Sequence, residues 1–82
     1  MQTLVEVNTP DFVAYVTNFN DLPSSKVLPL IAEKDVAVQF MGISELLYEA
    51  VAPEIVDALK ELPVIQLANF VTEWLKVSFE TK

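Results

Sequence analysis

Glu45 and Glu49 stand four residues apart, the spacing at which two carboxylates on one helical face share a metal ion or a proton. Helical di-metal sites combine such glutamates with histidines from facing helices, and this chain contains no His and no Cys. The pair therefore reads as part of a solvated face, as do Glu54, Asp57 and Glu61. Among hydroxyls, Ser24 and Ser25 lie beside Lys26, and Ser44 follows Gly42-Ile43. A nucleophile elbow needs Gly two residues after its Ser, where this sequence has Leu46. A Ser–Lys dyad needs a buried lysine, which the turn-rich stretch around Lys26 does not supply. The Asp-Ser-Leu site of acyl carrier proteins is also missing, because Ser44 sits between Ile43 and Glu45. No catalytic residue, no metal ligand and no cofactor are expected, and the chain reads as a binding or assembly protein rather than an enzyme.

The elements that would carry a binding surface must fit into 82 residues, enough for one domain over 1–82. A 52% apolar composition with a single Gly excludes a disordered tail or a flexible linker. Five Lys against twelve Asp and Glu give a net charge of -7, which repels phosphate backbones and anionic lipid, so neither nucleic acid nor membrane is expected as a partner. The start, Met1 to Asn8, has no basic residue and no long apolar core, so no signal peptide is expected. Apolar runs are only a few residues long, far short of the ~20 that cross a bilayer. A soluble, cytoplasmic protein is the expectation. Mean hydropathy is nevertheless +0.39, and a domain this small hides only about 60% of the surface its unfolded chain exposes, so apolar side chains are expected outside, either scattered singly or gathered in a sticky patch.

Residues 1–8 read as extended, with alternation over Leu4-Val5-Glu6-Val7 but no second strand to pair with. Thr9-Pro10-Asp11 reads as a helix start, with Thr9 capping and Pro10 at the first helical position, and the spacing of Phe12, Val13, Val16 and Phe19 predicts a helix to about Asn18. Turn formers from Asn18 to Ser25 mark the main loop. Pro29 is tolerated only in a first turn, so a short helix is placed from Val27 or Leu28. Asp35 caps the clearest amphipathic helix, 35–51, and Gly42 within it implies either a kink or a close helix crossing, the crossing being favoured in a small bundle. Pro53-Glu54 restarts the chain as a helix to Glu61, with Asp57 and Lys60 spaced to pair in solvent. After Leu62-Pro63 a last helix spans 63–78 with a wide apolar arc, and residues 79–82 are expected to fray. The predicted fold class is all-α, a bundle of four to five short helices, with Phe40, Leu47, Leu59, Phe70 and Trp74 as core candidates.

One pattern in these residues resembles a known family. Phe19-Asn20-Asp21-Leu22-Pro23-Ser24-Ser25-Lys26-Val27-Leu28-Pro29-Leu30, a helix, and then Ala58-Leu59-Lys60-Glu61-Leu62-Pro63 leading into a helix that reaches Trp74-Leu75 resemble tail assembly chaperones of long-tailed bacteriophages. The resemblance covers residues 19–78, and its most telling piece is the late Leu62-Pro63 turn before the Trp-containing helix. It implies binding to the long helical tape measure protein before the tail tube polymerises, release before the virion is complete, a frameshifted longer product, and action in the host cytoplasm. Acidic charge would keep such a coated apolar client dissolved, and many weak sites would coat it through multivalency. Contacts are expected on residues of the 35–51 and 63–78 helices that the core does not consume. Phe40, Met41, Leu67 and Phe70 are the candidates, with burial as the competing fate of each. The rival reading is a generic helical adaptor or regulatory module that binds one partner in a single groove, and self-association is a further outlet for the same apolar surface.

Overall fold

The computed structural model describes residues 3–80. It corrects the all-α expectation, because the chain begins with a two-stranded antiparallel hairpin, β1 (Leu4–Asn8) and β2 (Val13–Thr17), before any α-helix forms. A 3-10 turn at Phe19–Asp21 leads into α1 (Ser24–Ala32), α2 (Val36–Glu49), α3 (Pro53–Lys60) and α4 (Val64–Glu80).

The predicted helix from Pro10 to Asn18 does not exist, because the chain turns at Pro10-Asp11 and the segment pairs with β1 instead. Thr9 N–H donates to the Phe12 carbonyl at 2.9 Å and Phe12 N–H donates back at 3.3 Å, which makes Pro10-Asp11 the two-residue loop of a hairpin. The Thr9 hydroxyl also donates to the Phe12 carbonyl at 2.9 Å, so its capping capacity is spent on the turn. Pro10 thus presets φ for a turn position rather than for a helix start. Val13-Ala14-Tyr15-Val16-Thr17 satisfies the period of two as well as the helical spacing that suggested otherwise. Ala14 and Val16 point inward beside Val5 and Val7, while Val13 and Tyr15 point out. The partner strand of Leu4–Asn8 is therefore Val13–Thr17, the segment whose spacing predicts a helix. Met1 and Gln2, also expected to be extended, lie outside the described residues.

The helices hold closer to expectation. Asp35 caps α2, its Oδ1 accepting from the Ala37 and Val38 amides at 3.0 and 3.2 Å. Gly42 marks the anticipated close crossing: a Cβ there would collide with Leu30 Cδ2 and stand 3.3 Å from its Cγ. The α1 boundary is a correction, since Pro29 lies in the second turn of a helix that starts at Ser24 rather than near Val27. The chain enters through Pro23, whose carbonyl accepts from the Lys26 and Val27 amides at 3.0 and 3.2 Å. Pro29 removes the amide that would pair with the Ser25 carbonyl, and Ser25 is exposed, so water can take that carbonyl. No Asp57–Lys60 ion pair forms among the described residues. Lys60 Nζ instead lies 5.5 Å from the Tyr48 ring centroid. Phe79 and Glu80 remain helical rather than frayed, with the Phe79 ring 6.0 Å from Phe19 and edge-on to it, while Thr81 and Lys82 lie outside the described residues.

A single core joins all these elements. From α4, Leu67, Phe70, Val71, Trp74 and Ser78 form its buried stripe, and this helix packs across β1 and the 3-10 turn. Leu47, Leu59, Phe70 and Trp74 are fully enclosed, whereas Phe40 is only half-buried at the edge. Polar ties fix α4 to the hairpin exit. The Trp74 indole N–H donates to the Thr17 carbonyl at 2.9 Å, and the buried Ser78 hydroxyl accepts from the Phe19 amide at 3.0 Å. The Phe19 ring meets Trp74 edge-on with centroids 5.2 Å apart, and Phe12 meets Phe70 in the same way at 5.5 Å.

Candidate functional site

Of the hydroxyls and carboxylates singled out for chemistry, Ser44 and Glu49 have structural partners. Ser44 is buried and donates to the Phe40 carbonyl at 2.9 Å within its own helix, so it is closed to a carried arm or a substrate. Glu49 accepts from Lys26 Nζ at 2.6 Å in a pair whose two side chains are about half exposed, a setting in which an ion pair contributes little. Ser24 and Ser25 are exposed at the start of α1. Among the described residues no group of three or more acidic side chains is placed to hold a metal ion. No helix among them is long and apolar enough to cross a membrane.

The four contact candidates separate. Phe70 is fully enclosed and Leu67 is buried, both on the inward stripe of α4, so neither reaches a partner. Phe40 is half-buried against the core. Met41, one residue further along α2, is 62% exposed and remains available. The reason is angular: consecutive helical residues diverge by about 100°, so Phe40 faces the core while Met41 faces out.

Exposed apolar surface also lies on α1, outside the 35–51 and 63–78 helices on which contacts are expected. Leu28 and Ile31 of α1 are 60% and 62% exposed, and α1 buries only Val27. Val64 and Ile65 at the start of α4, and Val36 and Val38 at the start of α2, are exposed as well. The overlooked signal is the breadth of the arc formed by Val27, Leu28, Leu30 and Ile31. A nine-residue helix pressed mainly on one neighbour, α2, cannot bury so wide an arc.

Two concavities among the described residues interrupt this surface. One, of about 180 Å³, is walled by Leu28 and Ile31 of α1, by Phe19 and Leu22, and by Phe79 near the end of α4. The other, of about 450 Å³, lies between the hairpin, through Leu4, Tyr15 and Thr17, and the α2–α3 connection, through Glu49, Val51, Ala52 and Ile55. Both are open troughs rather than enclosed cavities, and their lining is more apolar than polar. Such a shape suits a side chain or segment of another protein better than a buried small molecule. No family model matches the sequence, and neither curated proteins nor solved structures give a match.

Proposed function

We propose that this protein is a non-catalytic chaperone that covers the apolar faces of a helical client chain. Its client class is the tape measure protein that the resemblance to phage tail assembly chaperones implies. The observation that carries the reading is the coexistence of eleven large apolar side chains, each 47% to 77% exposed among the described residues, with a net charge of -7. Exposed apolar area supplies the attraction to a client, while like charge on successive copies keeps the coated complex apart from others in solution.

The contact surface is the outer side of α1 with its trough, Leu28, Ile31 and Phe79, together with Met41 of α2. Leu28 and Ile31 are three residues apart, the spacing at which an amphipathic client helix meets a complementary helix ridge. Affinity per copy is expected to be low, because the trough is shallow and buried area alone does not make tight binding. Stable coating then follows from many copies on one long chain.

Co-expression with a tape measure chain, followed by native mass measurement, tests this. The chaperone reading predicts many copies per client and a client that stays in the soluble fraction. One or two copies per partner would favour the single-groove adaptor instead, and an insoluble client would remove the chaperone reading.

A further inference from the structure

The hairpin carries a second, independent binding device: an unguarded strand edge beside the larger trough. Hydrogen-bonded pairs close both ends of the β1–β2 ladder, at Thr9–Phe12 and at Thr3–Asn18, where the Asn18 amide donates to the Thr3 carbonyl at 2.7 Å. Antiparallel alternation therefore turns the peptide groups of Val13, Tyr15 and Thr17 away from β1. Thr17 N–H already donates outward to the Ala50 carbonyl at 2.9 Å, so a neighbouring segment has begun to add to β2 and stopped after one bond. Val13 and Tyr15, 52% and 63% exposed, continue that edge without a partner among the described residues.

Natural edge strands are blunted by charge, proline or a bulge, and β2, Val13-Ala14-Tyr15-Val16-Thr17, has none of these within it. By contrast β1 carries Glu6. The trough of about 450 Å³ lies along this same edge and would receive the alternate side chains of an added strand.

We infer that β2 accepts an extended segment of a partner protein as a third strand, and that this segment alternates β-branched apolar residues with lysine or arginine. Charge selects that occupant. Glu6 stands directly across from Tyr15 on the exposed face, and Glu54 lies between the trough-lining residues Ala52 and Ile55. Glu49 also lines the trough, its charge balanced by Lys26, so Glu6 and Glu54 carry the selection. A second copy of this chain would bring another charge of -7 and another Glu6 to the same edge, so self-pairing is opposed where a basic strand is drawn in.

The probe is a short blocked peptide alternating lysine with valine or isoleucine, compared with its glutamate counterpart and with a version N-methylated at alternate amides. Amide NMR shifts and hydrogen exchange of the intact protein are the readouts. The lysine peptide is expected to shift and protect the Tyr15 and Val13 amides and to bind at least about tenfold more tightly than the glutamate peptide at low salt. N-methylation should abolish binding, since it removes the backbone donors while keeping the side chains. Tyr15→Pro, which deletes only an outward-facing amide, should abolish it as well, with Tyr15→Thr as the control that keeps the amide. Equal binding of the N-methylated peptide, shifts centred on Leu28 and Ile31, or dimerisation of the free chain through β2 would overturn the assignment.

Discussion

Replacing Ser78 by Ala tests how the last helix is fastened to the hairpin. Ser78 is fully enclosed, its Oγ accepts the Phe19 amide at 3.0 Å, and its carbonyl accepts from Asn20 Nδ2 at 3.0 Å. Removing the hydroxyl leaves a buried N–H without a partner, which costs about 1–3 kcal/mol. The better helix propensity of Ala returns roughly 0.5 kcal/mol, so a net loss of about 0.5–2.5 kcal/mol is expected. For a domain of this size that lowers Tm by roughly 2–20 °C. Thr72→Ala is the matched control, because its hydroxyl donates to the Ala68 carbonyl at 2.9 Å in the same helix but on the exposed side. That change should stay within about 0.5 kcal/mol of neutral. Thermal and urea unfolding of the two variants decide the matter. A Ser78→Ala variant as mild as Thr72→Ala would mean that the Phe19 amide reaches water, and that α4 is not pinned to the hairpin exit as described.

Three further outcomes follow from named contacts. Gly42→Ala should be neutral to destabilising by about 2 kcal/mol, as overpacking against Leu30 outweighs helix propensity, yet stabilising by up to ~1 kcal/mol in a Leu30→Ala background; a double-mutant cycle in urea measures the coupling. Asp35→Ala should cost about 1 kcal/mol through loss of the α2 cap, whereas Asp35→Asn should cost much less because its side-chain carbonyl still accepts; chemical denaturation separates the two. Phe70→Ala should lose about 3–5 kcal/mol and unfold much of the population, while Met41→Lys should leave Tm within a few degrees and reduce client binding, as circular dichroism and pull-down together would report.

The helical part of the fold was legible because its signals are local and redundant. Asp35, Pro53 and the Leu62-Pro63 break each mark a helix boundary by chemistry that acts within one turn, and the structure places α2, α3 and α4 within a few residues of the expected bounds. The hairpin was not legible because Thr9-Pro10-Asp11 suits a helix start and a β-turn equally well. Phe12, Val13, Val16 and Phe19 fit a helical stripe while Ala14 and Val16 fit a strand, and only tertiary burial against α4 decides between them. The same non-local choice governs the contact surface. Leu67 and Phe70 were reasonable candidates on an arc too wide to bury whole, but packing across β1 took that side of α4 inward and left Ile65 outside. The exposure of Leu28 and Ile31 is equally non-local, because it depends on how little of α1 its neighbours cover and not on any signal within the helix.

In the proposed function the exposed apolar side of α1 is a binding surface rather than surplus. Leu28→Lys and Ile31→Lys combined, co-expressed with a tape measure chain, test it most directly. The account predicts an unchanged fold and Tm for the free variant together with a client that falls out of solution. A client held in solution as well by the variant as by the original chain would contradict it.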